Sequence, residues 1–283
     1  MNPVRLQVLG SINLDLVASG ALLPAPGETV TGASLARYPG GKGANQALAA
    51  RRLGAEVTLI GRVGLDPFAE EALQILRLDG VNLTQVTVDE TLPTGVALIA
   101  VSPEGENQII VASGANLGLT GVPDLGPEAL LCQLELPLDT VAAAVGAARG
   151  FVAVNLAPAL PVPDILLTRP DLLVVNEGEA AFYGDKLHAG QGLVAVTLGA
   201  RGAVVYRQGS EIARAEPPAV QVVDTTGAGD CFFAALSVAL LESQPLEAAL
   251  AFACAAGAIA TTREGAQTSM PSRGDVESYI KVT

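Results

Sequence analysis

Short runs of Val, Leu and Ile recur along this chain at LQVLG (6–10), VTLIG (57–61), LLCQLE (130–135), FVAVN (151–155), LLVVN (172–176) and LVAVTLG (193–199). A strand with one wet face alternates apolar and polar residues, whereas a strand covered on both faces reads as a nearly continuous apolar run. These runs therefore predict strands sandwiched between helices. Helical spacing separates them over Asn45–Leu53, closed by Gly54, over Pro67–Leu78, closed by Gly80, and over Leu138–Ala148. Strand and helix in alternation predict an α/β fold, a mostly parallel central sheet flanked by helices. Half of the 283 residues are apolar, enough to bury a substantial core.

Two segments break the alternation. Glu28–Tyr38 and Thr94–Val111, the second with a turn at Pro103–Glu106, read as hairpin strands outside the main sheet. They predict a small β lid, inserted from segments around 13–39 and 94–112 into a single α/β domain spanning 1–283. No linker, low-complexity tract or internal repeat interrupts the chain.

A formal charge of −13 without any basic run argues against nucleic acid and anionic membranes as partners. The N-terminus lacks signal-peptide proportions, and the most apolar stretch, Ala248–Ala260, is shorter than the roughly 20 residues a bilayer requires and reads as a buried helix. Cys132, Cys231 and Cys254 lie far apart in apolar segments, which suits reduced core thiols and a cytoplasmic setting. His188, the single histidine, sits in a glycine-rich stretch and reads as a solvated loop residue. Ser-His-Asp and Cys-His chemistries are thereby excluded unless His188 is the base, and an HExxH metal site is excluded outright.

The sharpest motif is DTTGAGD, Asp224–Asp230, followed by Phe232, Ala235, Leu236, Ala239 and Leu240 at helical spacing. A glycine turn feeding a helix N-terminus aims backbone N–H groups and the positive end of the helix dipole at one place, an anion hole. Asp230 in the first turn serves either as a helix cap or as a general base beside that anion. The second motif, GGKGAN (Gly40–Asn45), sets three glycines around one of the chain's three lysines just before a helix. Backbone closely approached, with Lys42 and Asn45 at the rim, suits a polyhydroxylated ligand. Glu135, Asn155, Asn176 and Thr197 end apolar runs, and Asn13 and Asp15 follow the first run. Ligands sit at such strand ends in open parallel sheets, although each residue could equally cap the helix that follows. Two other phosphate motifs are missing: Lys42 is followed by Gly43 rather than Ser or Thr, and no GxGxxG opens a helix after a strand.

Taken together, GSINLD (10–15), PGETVTG (26–32), GGKGAN (40–45), TGVALI (94–99), GEN (105–107), NEGE (176–179), TLGARG (197–202), DTTGAGD (224–230) and TREGAQ (262–267) resemble, in order and spacing, the ribokinase family of carbohydrate kinases. The likeness covers nearly the whole chain. It implies Rossmann-like layering with a β lid, and ATP-dependent phosphorylation of the primary hydroxyl of a pentose, D-ribose foremost. By that resemblance Asn13, Asp15, Gly41, Lys42, Gly43, Asn45, Glu135 and Asp230 hold the sugar. Asn176, Thr197, Leu198, Gly199, Ala200, Arg201, Gly202, Gly229, Asp230 and Cys254 contact ATP. Asp230 acts as base, and the amides of Gly227, Ala228 and Gly229 stabilise the transferring γ-phosphoryl. Mg²⁺ accompanies ATP, steered by Glu179 through water. An activating K⁺ falls to Asp224, Thr226, Ala260, Arg263, Gly265 and Ser269, several through backbone carbonyls. A lid strand pairing with a second subunit implies a homodimer.

Two departures from the family stand out. The stretch Glu177–Val196 is shorter than its counterpart, and Cys254 replaces a polar residue near the adenine. A kinase of the same fold acting on another small sugar or a nucleoside is the nearest rival reading. A sensor that binds sugar without turnover is the remote one, although the sequence keeps Asp230 and its glycines.

Overall fold

The computed structural model describes residues 3–20, 22–103 and 106–282. In chain order the elements are β1 (Arg5–Leu9), β2 (Asn13–Ser19), β3 (Ser34–Gly40), α1 (Lys42–Arg52), β4 (Glu56–Gly64), α2 (Pro67–Leu78), β5 (Asn82–Asp89), β6 (Gly95–Val101), β7 (Asn107–Ala112) and β8 (Ala129–Cys132). There follow α3 (Leu138–Ala147), β9 (Val152–Asn155), α4 (Ile165–Thr168), β10 (Leu172–Asn176), α5 (Glu177–Tyr183), β11 (Leu193–Thr197), β12 (Ala203–Arg207), β13 (Ser210–Ala215), α6 (Ala228–Leu241), α7 (Leu246–Ala260), α8 (Ala266–Ser269) and α9 (Arg273–Val282).

Nine strands form the main sheet in the order β13-β12-β11-β10-β9-β8-β1-β4-β5. Neighbours from β11 to β5 pair in parallel, and only the β11–β12 and β12–β13 pairs are antiparallel. The apolar runs lie where they must. Alternate residues of one strand reach opposite faces: Leu6 and Val8 of β1 join the core under α1, α6 and α7, whereas Leu9 joins Leu130, Cys132 and Val154 in the core under α3, α4 and α5. Ala248–Ala260 lies within α7 and is buried over most of its length, from Ala249 to Ala260, and among the described residues no helix is long and apolar enough to cross a membrane.

The edge strands β5 and β13 are absent from the sequence expectation because they interleave polar residues, as in NLTQVTVD and SEIARA, and give no continuous apolar run; β12, between β13 and β11, carries the short apolar run AVVY, which the sequence expectation missed. Two further expectations shift. LLCQLE is strand only to Cys132, so Glu135 lies beyond the strand end. His188 is half-buried, 5.9 Å from the Tyr206 ring, rather than solvated.

A second, four-stranded sheet has the order β3-β2-β6-β7, with β2 antiparallel to β3 and parallel to β6. Both segments expected to lie outside the main sheet are in it. The strand expected over Glu28–Tyr38 is confined to Ser34–Gly40, since Gly27 and Gly32 adopt positive φ and break extension before it. The turn expected at Pro103–Glu106 includes Glu104 and Gly105, which lie outside the described residues. The chain passes from the main sheet to the small one through Gly10–Ser11–Ile12, so the start of β2 lies against the main sheet's strand ends.

Candidate active site

Asn13 and Asp15 head the central strand of the small sheet, where Asn13 is in register with Gly40 on one side and Gly95 on the other. Neither neighbour could be larger. A methyl group at Gly40 would lie 2.3 Å from Asp15 Oδ2, and one at Gly95 would lie 2.2 Å from Asn13 Oδ1. Asn116, fully buried and unnoticed in the sequence, fixes this strand start: its Nδ2 donates to Asn13 Oδ1 at 2.8 Å, and its Oδ1 accepts the Ile12 N–H at 2.9 Å. The Asn13 amide oxygen is thus occupied, leaving its N–H groups for a ligand.

The GGKGAN loop packs on the same turn. Gly41 caps α1 at φ 89°, and a methyl at Gly43 would come within 2.4 Å of the Gly10 carbonyl carbon. Glycine is required at Gly43 for contact between two backbones rather than for approach to a ligand, which corrects the sequence-based reason. The Ser11 hydroxyl, likewise overlooked, donates to Glu135 Oε2 at 2.6 Å, and the Lys42 N–H donates to the same oxygen at 3.3 Å. Asp15, Glu135, Glu179 and Asp230 surround the Lys42 ammonium, and Asp230 is the foremost of those holding its proton more tightly than usual. Burial first, then repulsion from Glu135 and Asp230, pushes Asp15 up from 3.8 to about 7.

Asp230, 7 % exposed, lies in the first turn of α6. It does not cap that helix. The N-cap is Gly227 at φ 78°, with no side-chain cap bond. Instead Asp230 Oδ2 accepts from Asn45 Nδ2 and Oδ1 from Gln46 Nε2, both at 2.9 Å. Burial raises its proton affinity, which the Lys42 charge and the two amide donors oppose. The glycines of this turn differ. A methyl at Gly227 would press on Ala266 at 2.9 Å, whereas one at Gly229 would meet nothing within 4 Å.

That open side faces a cleft of about 230 Å³ at the ends of β9, β10 and β11, lined by Lys42, Asn155, Asn176, Glu179, Thr197, Thr225, Gly227, Gly229 and Asp230 among others. Asn176 both lines the cleft and caps α5: its Oδ1 accepts the Glu179 N–H while Glu179 Oε2 accepts the Asn176 N–H, each at 2.8 Å. Glu179 is raised by burial and keeps its second oxygen free of that capping pair. Leu198 to Arg201 form a turn beside the cleft, with Arg201 paired to Glu177, and Gly202 closes it at φ 84° against the Ala215 carbonyl. Cys254 does not line the cleft; its thiol is buried behind β13 and donates to the Ala215 carbonyl.

Beneath the α6 turn, Asp224 ties two loops. One oxygen accepts the Thr226 N–H and hydroxyl at 2.9 and 2.6 Å, the other accepts the Gly265 N–H at 2.8 Å. Ser269 donates to the Ala266 carbonyl, and α7 ends at Ala260, where a helix leaves its last carbonyls without intrahelical partners. Such a donor set is all oxygen, as a hard monovalent cation requires.

Comparison with known proteins bears on this geometry. The family model described as pfkB family carbohydrate kinase matches residues 5–273. The chain is 38 % identical to a ribokinase of Haemophilus influenzae over 98 % of both chains, and 37 % identical to one of Bacillus subtilis over 96 % of this chain and 98 % of that one. Its structure superposes on Arabidopsis thaliana ribokinase complexed with ribose and ATP with a TM-score of 0.88 and 32 % identity, covering all of both chains.

Proposed function

This chain belongs to the pfkB family of carbohydrate kinases, and from that premise we propose that it transfers the γ-phosphoryl group of ATP to the primary 5-hydroxyl of D-ribose. The observation that carries the reading is Asp230: a buried carboxylate in the first turn of a helix that caps nothing, held by two amides between the Lys42 pocket and the open face of Gly229. The Arabidopsis relative complexed with ribose and ATP supports the choice of substrates.

Ribose enters beside Asn13, Asp15, Lys42, Asn45 and Glu135. The Asn45 Oδ1 is buried without a partner among the described residues and is free to accept from a sugar hydroxyl. Asp230 takes the proton of the 5-hydroxyl as its oxygen bonds to the γ-phosphorus. The bond from that phosphorus to the β-bridging oxygen breaks, and ADP leaves with the electron pair. The Gly227–Gly229 amides and the α6 dipole stabilise the charge gathered on the transferring group. Asn176, Thr197 and the Leu198–Gly202 turn flank the nucleotide, and the rim around Ala215 places Cys254 behind that surface.

Among the described residues no group of three acidic, histidine or cysteine side chains is arranged to hold a metal ion. A divalent ion would be held chiefly by the nucleotide's phosphates, with Glu179 within reach through water, and would supply neutralisation of the phosphate charge. Asp224, Thr226, Ala260, Arg263, Gly265 and Ser269 would hold a potassium ion, which would stiffen the loop that presents the anion hole. The three buried, unpaired cysteines suit a cytoplasmic enzyme. The small sheet serves as a lid, and its exposed Leu35, Leu98, Ile109 and Ile110 support a homodimer clasped through it; a monomer by light scattering at micromolar concentration would overturn that arrangement.

The test is ADP release with ATP and Mg²⁺ on ribose, 2-deoxyribose, fructose and adenosine, each with and without potassium. Potassium-stimulated turnover on ribose is expected. Turnover on another acceptor alone overturns the substrate and keeps the mechanism; silence on all overturns both.

A further inference from the structure

Gln46 of α1 is fully buried, and the reaction described above makes no use of it. Its Nε2 donates to Asp230 Oδ1 at 2.9 Å and to Asn155 Oδ1 at 3.4 Å, while Asn155 Nδ2 donates to the Val174 carbonyl at 3.1 Å. Asn155 is committed by its N–H to the sheet backbone and therefore offers Gln46 only an acceptor. Turning the Gln46 amide over would set two carbonyl oxygens against each other. Its Oε1 has no partner among the described residues. A buried orphan acceptor is unfavourable, so stability alone does not explain the arrangement.

We infer that Gln46 is a positioning residue for the phosphoryl transfer: pinned as a donor by Asn155, it holds the Asp230 carboxylate in its acceptor-only form and in one rotation, leaving the remaining lone pairs for the sugar hydroxyl. The inference rests on the reading of Asp230 as the base. Asn45 binds the other oxygen, so the pair fixes the carboxylate plane from one helix. Asn45 also borders the sugar pocket, whereas Gln46 reaches only Asp230 and Asn155, and its contribution separates from sugar binding.

The groups facing Asp230 are Lys42, Asn45 and Gln46 from α1, Glu135 from beyond β8, Asp15 from β2, and Cys231 on its own helix. Lys42 and the two amides favour the ionised carboxylate, and burial and Glu135 oppose it. Loss of the Gln46 donor leaves that opposition less balanced. The base then takes a proton more readily, and the acidic limb of the kcat–pH profile moves to higher pH.

The test replaces Gln46→Met, of similar bulk with no amide, and Asn155→Ala, which frees Gln46 to turn over. Measured are kcat and KM for ribose from pH 5 to 9, with thermal unfolding of each protein. For Gln46→Met, kcat falls roughly ten- to a hundredfold, KM for ribose stays within about threefold, and the acidic limb moves up. Asn155→Ala moves the limb the same way by less. A Gln46→Met enzyme with an unmoved acidic limb overturns the inference, whether or not its kcat falls. Should that variant fail to fold, an unmoved limb in Asn155→Ala overturns it instead. Asp230→Asn is run alongside: if it keeps turnover, the base reading falls and this inference with it; if it is inactive while Gln46→Met matches the wild type, this inference alone falls.

Discussion

Replacing Gly229 by alanine separates stability from chemistry. Gly229 lies in the first turn of α6 without positive φ, and a methyl there would meet no atom within 4 Å. Alanine favours a helix over glycine by about 1 kcal/mol in the interior and by less in a first turn. At about 2–4 °C per kcal/mol for a chain near this size, the melting temperature stays level or rises by a few degrees. On the proposed reading, the same methyl would stand in the face of the cleft where the γ-phosphoryl meets the turn's amides. Donors of this kind contribute about 2.7–4 kcal/mol each, or about 10²–10³ in kcat, and a phosphoryl held off by a methyl's radius loses at least one of them. The expected enzyme is at least as stable as the wild type and about a hundredfold slower. Coupled ADP release at saturating ATP and ribose gives the rate, and thermal unfolding of the unliganded protein gives the stability. Wild-type kcat would mean that the transferring group does not lie against this turn; a melting temperature lowered by several degrees would refute the open space assigned to Gly229.

Gly43→Ala has the opposite signature. Its methyl would be forced to within 2.4 Å of backbone at Gly10, which costs about 1–3 kcal/mol as overpacking and displaces Lys42, so thermal unfolding falls and KM for ribose rises; an unchanged melting temperature contradicts the packing. Asp15 holds its proton up to about 7 in the fold against 3.8 ordinarily. Between those values the folded state binds more protons than the unfolded chain, so this group's contribution to stability is full below about 4 and lost as pH rises through about 7. Wild type should therefore lose stability relative to Asp15→Asn between pH 4.5 and 7.5, and a flat difference in unfolding free energy refutes it. Burial pushes the thiols of Cys132 and Cys254 up to about 12 and that of Cys231 higher still, so Ellman's reagent should label none of the three in the native protein within minutes and all three in guanidinium; rapid labelling of the native protein contradicts their burial.

What the sequence makes legible follows from burial. Strands covered on both faces leave continuous apolar runs, and all six such runs lie in the main sheet; the edge strands β5 and β13 interleave polar residues and leave no such trace, while β12 leaves only the short run AVVY. DTTGAGD announces a helix N-terminus, but whether Asp230 caps it or turns away depends on Asn45 and Gln46, far off in sequence, and the sequence leaves both roles open. Asn116 and Ser11 act through partners that are distant in the chain or lie across the fold. Gln46 carried one usable signal, a polar residue among the alanines and leucine of a helix that is buried from Gly43 to Ala50. The glycines of GGKGAN were legible as close approach, but what approaches at Gly43 is the Gly10 backbone.

On the proposed reading, Asp230 activates the sugar's primary hydroxyl. The direct measurement is the product formed from ribose and ATP by the wild type and by Asp230→Asn, identified by phosphorus NMR, with ribose binding to each followed by calorimetry. Ribose 5-phosphate is expected from the wild type, with a rate lower by at least about 10² in the variant and ribose binding retained by both. Wild-type turnover by Asp230→Asn, or a product phosphorylated elsewhere on the sugar, would contradict it.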